Sequence, residues 1–299
     1  MKIKTGFVTL VGKPNVGKST LMNKLVGEDL SIITSKPQTT RKRVLGIFND
    51  EQHQIIFLDT PGILEPKYLL QEKLSEYIDT SVRDADILVF MIADKNLEKE
   101  IEMFEDEKYS KIISSQRKTK ILVINKIDIS SNNTISKAVA ILEEQKLFDK
   151  IIPLSALENY NVSYLLETLK EYLPEHPKYY PDDQLTTETE RFFVSEKIRE
   201  KILEIFHDEI PYSVEVVIEE FKERERGKDY ISAVIVVERD SQKPIILGKR
   251  GAKIKKLGNL ARTSIEEFLG RQIYLEMRVK VSDQWRKNLN ELKNFGYTN

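Results

Sequence analysis

The 299-residue sequence contains no cysteine. Disulfides and thiolate-bound metals are excluded, and the composition fits a reducing compartment. Histidine is almost as scarce: His53, His176 and His207 are scattered, with no spacing that marks a metal site or a general base. Long apolar runs are missing too. The longest, ILVFMIA at 87–93, falls well short of the roughly 20 residues that cross a bilayer. The apolar run near the N-terminus is too short for the core of a cleaved signal peptide. Nor is there an excess of charge of one sign: 47 basic residues meet 48 acidic ones, a net charge of -1, so no global field draws the chain to nucleic acid or membrane. Any such affinity must come from local segregation of charge.

What is present points to a soluble, cytoplasmic protein of two domains. The length exceeds the roughly 100–200 residues of a single domain, and a hydrophobic content of 40% is enough to fill real cores. In the first half, short apolar runs recur at 7–12, 54–60, 86–94, 120–128 and 150–157, most of them separated by enough chain for a helical crossover. Runs that are almost continuously apolar suit strands buried on both faces, as in the mostly parallel sheet of an α/β domain. Ligands of such sheets collect at the carboxyl ends of the strands.

The composition changes near residue 174. PEHPKYYP at 174–181 carries three prolines and a polar, acidic run follows, which predicts a linker at 174–190 between domains at 1–173 and 191–299. Beyond it, VSEKIREKILEIF places Ile198, Ile202, Ile205 and Phe206 on one helical face. Two β-branched stretches at 212–221 and 230–238 predict strands joined by a charged tip, KERERGKD. A helix with Ile254, Leu257, Ala261, Ile265 and Phe268 on one face and a last strand at 271–281 complete an α+β order of αββααβ.

The strand ends of the first half carry chemistry. GKPNVGKS at 12–19 matches GxxxxGK[ST] between a strand and a helix. Gly12 and Gly17 let the backbone through Lys13, Pro14, Asn15 and Val16 close around phosphate oxygens. Lys18 places its charge on the β and γ phosphates, and Ser19, followed by Thr20, offers a hydroxyl to Mg²⁺ at the helix N-terminus. In DTPG at 59–62, Asp59 is expected near Mg²⁺ through water, and Thr60 and Pro61 lead to Gly62, whose N–H is placed to sense a γ-phosphate. NKID at 125–128 selects the base: the Asp128 carboxylate can accept from both N1–H and the 2-amino group of guanine, whereas adenine offers neither donor there. Asn125 would tie loops together and Lys126 would lie over the base. At 155–157, Ser155, Ala156 and Leu157 end the next strand, with the Ala156 N–H facing the guanine O6. Together these motifs predict a site for GTP and GDP. Between them, SKPQTTRKR at 35–43 is long and polar enough to close as a switch on Mg²⁺ and the γ-phosphate, through Thr40 or, alternatively, Thr39. The expected catalytic set is Lys18, Thr40, Asp59 and Gly62, with Ser19, Thr40 and Asp59 around the metal.

The second half supplies the missing segregation of charge. Between 247 and 262 stand six basic residues, Lys249, Arg250, Lys253, Lys255, Lys256 and Arg262, and no acidic one. They surround a GxxG turn, Gly248 to Gly251, between two helices. Such a turn lets a nucleic-acid backbone approach closely, and a helix N-terminus with flanking cations favours phosphate. This is the arrangement of a KH domain, here of type II order, which clamps single-stranded RNA. The expected RNA contacts are Ile246, Gly248, Lys249, Arg250, Gly251, Lys253, Ile254 and Lys255. Core packing is the competing role for Ile246 and Ile254. Trp285 is expected to anchor the C-terminus rather than stack on a base.

GKPNVGKST, PQTTR, DTPG, NKID and SAL, followed by an αββααβ domain with a GxxG loop, resemble the Era family of ribosome-assembly GTPases over essentially the whole chain. The resemblance implies a P-loop GTPase domain followed by a KH domain, and slow, Mg²⁺-dependent hydrolysis of GTP. It also implies binding to small-subunit ribosomal RNA near its 3′ end by a monomer that assists subunit assembly; no DNA binding is expected. Where Ras-like proteins carry a water-orienting glutamine after the DxxG glycine, this sequence has Ile63, which excludes that device. Asn15 resembles the loop asparagine associated with potassium in related GTPases. The resemblance leaves room for a peripheral membrane contact, but no lipid-binding helix or lipidation motif supports one here. Two rival functions fit parts of the sequence: a P-loop phosphotransferase, which NKID disfavours, and a structural RNA-binding protein whose nucleotide domain only stabilises it.

Overall fold

The computed structural model describes residues 2–93, 97–115 and 118–298. The chain separates into two compact units, Met1–Glu65 with Leu74–Thr187, and Pro66–Lys73 with Glu188–Asn299.

In the first unit, β1 (Lys4–Gly12), β2 (Val44–Asn49), β3 (His53–Asp59), β4 (Ile87–Ile92), β5 (Thr119–Ile124) and β6 (Lys150–Pro153) form one sheet in the order β2-β3-β1-β4-β5-β6. Between them run α1 (Lys18–Val26), α2 (Leu69–Asp84, of which the part from Leu74 onward belongs to this unit), α3 (Leu97–Glu102), α4 (Glu107–Ser115), α5 (Asn132–Gln145) and α6 (Val162–Tyr172), the last following β6. The strands from β3 to β6 in this order are parallel, as their apolarity predicts; every residue of β4 is buried. Each such side chain contributes about 2 kcal/mol by leaving water.

The apolar-run pattern does not foresee β2. This edge strand pairs antiparallel with β3 across a tight turn in which the Asp50 carboxylate accepts from the N–H of Gln52 (2.8 Å) and of His53 (2.7 Å). Its outer edge explains the fate of the predicted linker. The Ile47 N–H donates to Leu185 O (2.8 Å), the Thr186 hydroxyl to Leu45 O (2.6 Å), and the N–H groups of Tyr179 and Tyr180 to Gln54 Oε1 (2.7 and 3.0 Å). Prolines stop helices and strands, but they leave neighbouring residues free to cover an exposed strand edge. Residues 174–187 therefore pack with the first unit, and the division falls after Thr187.

The second unit contains α7 (Glu190–Ile205), α8 (Ile210–Ser213), β7 (Val214–Lys222), β8 (Asp229–Val237), α9 (Gln242–Leu247), α10 (Ala252–Leu269), β9 (Ile273–Val281) and α11 (Leu289–Asn294). Apart from the short α8 and α11, this is the expected αββααβ order, with β7 antiparallel and β9 parallel to β8. Thr189 caps α7 by accepting the Phe192 N–H, so the helix starts before the apolar stripe does. Ile198 and Ile202 of α7 and Leu257, Ala261 and Ile265 of α10 pack on Val216, Ile231 and Ile235 of the sheet. Trp285 is fully buried and its indole N–H donates to Ser213 O (2.9 Å), so it anchors the chain and is closed to base stacking.

Candidate functional site

β1 ends at Gly12 and α1 begins at Lys18, and the backbone between them has to turn sharply. Gly17 lies at φ +98, and a Cβ there would stand 2.2 Å from Asn125 Nδ2, so a side chain is excluded both by conformation and by contact. The Lys18 ammonium is buried and donates to Gly12 O (3.1 Å) and Lys13 O (3.0 Å). Burial lowers its pKa to about 8, against the pull of the Asp59 charge.

Asp59, the last residue of β3, is fully buried. Burial raises its pKa, while the Lys18 charge and hydrogen bonds from hydroxyls oppose the rise. The Ser19 hydroxyl donates to its Oδ2 at 2.7 Å and the Thr40 hydroxyl donates to the same oxygen at 3.2 Å; the two hydroxyls lie 3.0 Å apart. Asp59 Oδ1 is buried without a hydrogen-bond partner among the described residues. Two hydroxyls and a carboxylate with a spare oxygen are a hard-oxygen donor set that fits Mg²⁺. Thr39 is tied up in its own loop, donating to Lys36 O (2.6 Å) beside Thr34 Oγ1 (2.7 Å), so of the two threonines it is Thr40 that meets Ser19 and Asp59. Thr20 makes none of these contacts and lies half-buried on α1.

The Asp59–Gly62 segment lies against the phosphate loop. The Thr60 hydroxyl donates to Leu10 O (2.8 Å), Pro61 is buried, and a Cβ on Gly62 would stand 2.4 Å from Pro14 N. The Ile63 N–H donates to Gly12 O (3.0 Å), but its side chain points into the apolar core with Val11, Phe90 and Ile92. The position that holds a catalytic glutamine in Ras-like proteins thus serves packing here. Asn15, at φ +64, donates its side-chain amide to Ser35 O (2.8 Å) and so joins the phosphate loop to the switch segment.

At the base end, buried Asn125 donates to Val16 O (2.8 Å) and accepts the Ala156 N–H (2.9 Å), while the Lys126 ammonium donates to Asn15 O (2.7 Å). The loops are tied together as expected of Asn125. The Ala156 N–H, expected to face the guanine O6, is instead engaged by Asn125. Asp128 is exposed, and the Ser155 hydroxyl donates to its Oδ1 at 2.5 Å, which orients the carboxylate. Leu157 stands 69% exposed at the rim.

In the second unit, α9 and α10 meet at the GxxG turn. Gly248 (φ +69), Arg250 (φ +54) and Gly251 (φ +76) all have left-handed signs of φ. A Cβ on Gly248 would press on Lys253 (2.7 Å to Cγ), whereas one on Gly251 would meet no atom within 4 Å. Gly251 therefore caps α10 over open space, with Lys249, Arg250, Lys253 and Lys255 exposed around it. Ile246, expected among the RNA contacts, is fully buried with Ile202, Ile235 and Leu257 and cannot touch a ligand; the exposed leading side chain is Ile245. Ile254 keeps partial exposure beside the turn. One contact has no signature in the sequence: Lys13 pairs with Glu100 of α3 at 2.7 Å.

Fold and site together define a P-loop GTPase joined to a KH domain. A family model described as "50S ribosome-binding GTPase" matches residues 7–126, and one described as "KH domain" matches residues 209–286. The chain is 44% identical over 294 residues to the GTPase Era of Geotalea daltonii, covering 98% of this chain and 97% of the relative, and 42% identical over 298 residues to that of Clostridium kluyveri, covering 99% of each. Among solved structures it is similar to a tyrosine-to-alanine variant of Aquifex aeolicus Era bound to GDP·AlF4⁻, at TM-score 0.92 and 39% identity over 99% of this chain and 100% of that one. Equally similar in fold, at TM-score 0.92 and 38% identity over the same shares, is Era in complex with MgGDPNP and nucleotides 1506–1542 of 16S ribosomal RNA. The chain belongs to the Era family of GTPases. It is an enzyme that hydrolyses GTP to GDP and phosphate.

Proposed function

We propose that this chain is a GTP-driven switch that binds the 3′ end of small-subunit ribosomal RNA through its KH domain and assists assembly of the small subunit. The observation that carries this reading is the Gly248–Gly251 turn, open above Gly251 and ringed by exposed cations, in a chain that also holds a guanine-nucleotide site. A relative of the same architecture is bound to MgGDPNP and to nucleotides 1506–1542 of 16S ribosomal RNA, which supports both ligands. In this reading residues 1–173 carry the nucleotide chemistry and residues 191–299 the RNA contact. The protein works as a monomer in the cytoplasm, and any contact with the inner face of the membrane is peripheral. Among the described residues no helix is long and apolar enough to cross a membrane.

Lys18 transfers its charge from two loop carbonyls to the β and γ phosphates, and Thr40 and the Gly62 N–H report the γ-phosphate to the segments that follow them. Bound Mg²⁺ neutralises phosphate charge and is held by Ser19 and Thr40, with Asp59 acting through water. Asp128, oriented by Ser155, reads the guanine edge. With Ile63 turned into the core, no side chain at that position orients water, so hydrolysis is slow. Asn15 sits where a loop amide meets a switch carbonyl, and potassium is assigned there; equal rates in potassium and sodium salts would remove that assignment. The main test is fluorescence anisotropy of a labelled 3′-terminal fragment of 16S ribosomal RNA with a GTP analogue, with GDP and without nucleotide. Tighter binding in one nucleotide state and weak binding of a scrambled RNA are expected. Identical affinities in all three states would refute the switch.

A further inference from the structure

The phosphate loop is held at several carbonyls by residues of recognisable motifs: Gly12 O by the Ile63 N–H, Asn15 O by Lys126 and Val16 O by Asn125. Its entry half has a different support. The Lys13 ammonium pairs with Glu100 Oε1 at 2.7 Å, with the lysine side chain 39% exposed and the glutamate side chain 9% exposed. The second oxygen of Glu100 is buried without a hydrogen-bond partner among the described residues, as is the hydroxyl of Tyr109. Around them lie Ile101, Met103 and Phe104, all in the apolar core. Burying a carboxylate costs free energy unless a close partner offsets its lost hydration, and the partner here is Lys13. The main chain of Lys13 is engaged as well, since its carbonyl accepts the Lys18 ammonium at 3.0 Å. Lys13 thus stands between Glu100 and the lysine that meets the phosphates.

We propose that Glu100 is a positioning residue for the GTPase reaction: through its ion pair with Lys13 it holds the entry half of the phosphate loop in its nucleotide-binding shape. The proposal rests on the reading of residues 12–19 as the phosphate site. Without the pair, the loop spends part of its time in shapes that do not bind, and the apparent dissociation constant rises by the inverse of the competent fraction. Once nucleotide is bound, the phosphates themselves organise the loop, so turnover at saturation is little changed. The effect is a split between KM and kcat.

The experiment measures dissociation constants for GDP and a non-hydrolysable GTP analogue, KM and kcat, and the thermal midpoint. The proteins are the full chain and its variants Glu100→Gln, Lys13→Gln, the double variant, Lys13→Arg and Lys18→Ala. Glu100→Gln and Lys13→Gln should each weaken binding about tenfold, equivalent to about 1.4 kcal/mol. The double variant should be no weaker than either single one, because both remove the same pair. Lys13→Arg, which keeps the positive charge, should lose less affinity than Lys13→Gln, and kcat of Glu100→Gln should remain within about twofold. A Glu100→Gln protein with wild-type affinity and a lower midpoint would overturn the proposal, as would additive losses in the double variant. If Glu100→Gln does not fold, the Lys13 variants decide: wild-type affinity of Lys13→Gln overturns it. A Lys18→Ala protein that binds as tightly as wild type would instead refute the phosphate-site reading itself.

Discussion

Raising the pH should weaken nucleotide binding through the Lys18 ammonium. Its displacement from 10.5 to about 8 corresponds to about 3 kcal/mol by which burial disfavours the charged amine before a phosphate arrives. At about pH 7 roughly nine-tenths of ligand-free molecules carry this charge, and at about pH 9 roughly one-tenth do. A phosphate needs the proton on, so the dissociation constant should rise about tenfold between those values, a loss of about 1.4 kcal/mol. The effect on ligand-free stability has the opposite sign. The folded amine titrates near 8 and the unfolded one at 10.5, so between them the unfolded chain binds more protons and stability from this group rises with pH. Below about 8 the burial penalty is present in full. The assay is an equilibrium titration of a fluorescent GDP analogue in excess Mg²⁺ at stepped pH, with Lys18→Gln in parallel. Guanine loses its own N1 proton at high pH, which weakens both proteins, so the difference between their slopes isolates Lys18. A flat wild-type curve, or the same slope in Lys18→Gln, would refute the reasoning.

Four further outcomes are expected. Ile63→Gln should not speed hydrolysis, because the position faces the core; it should lower stability by about 1–3 kcal/mol by burying an amide, read by thermal unfolding and phosphate release. Gly251→Asp should abolish RNA binding in a gel-shift assay and leave GTP hydrolysis near wild type, since φ +76 disfavours a side chain and the new carboxylate would stand in the open approach and repel phosphate. Ile246→Ala should cost about 2–5 kcal/mol of folding stability, whereas Ile254→Ala should act mainly on RNA affinity; equal effects on both readouts would contradict their different burial. Asp128→Asn should weaken GTP by at least about 10²-fold and favour xanthosine nucleotides, whose 2-oxo group accepts where guanine donates, as competition binding would reveal.

Features governed by local backbone chemistry were legible from the sequence. GKPNVGKS announces its loop because glycine at Gly17 is demanded by a positive φ and by a neighbour at 2.2 Å, and no other residue meets both conditions. DTPG is legible through the close approach of Gly62 to Pro14, the GxxG turn through the positive φ of Gly248 and Gly251, and NKID through the side chains of Asn125 and Asp128, while the near-continuous apolar runs exposed the parallel strands. Features decided by a distant partner stayed hidden. Thr39 and Thr40 are chemically equal in the sequence, and only the placement of β3 brings Asp59 to the second. The prolines after residue 173 mark an interruption of regular structure, but an edge strand that the apolar pattern had not disclosed gives that stretch its hydrogen bonds.

Ile246 shows why a turn can be recognised while the roles of its neighbours cannot. It precedes Gly248 by two residues and shares apolarity with Ile245 and Ile254, so nothing in its type distinguishes a wall of the ligand groove from a plug of the core. Its packing against Ile202, Ile235 and Leu257, residues distant in the chain or on another helix, decides. Glu100 is the stronger case. Its partner lies 87 residues earlier, and along the chain it is one acidic residue among several in a polar helix, the usual mark of a solvated face. A buried carboxylate with one satisfied oxygen becomes visible only when burial and charge are read together. Positions of that kind, paired to a motif without belonging to it, are where a sequence that names its chemistry plainly still conceals how that chemistry is held in place.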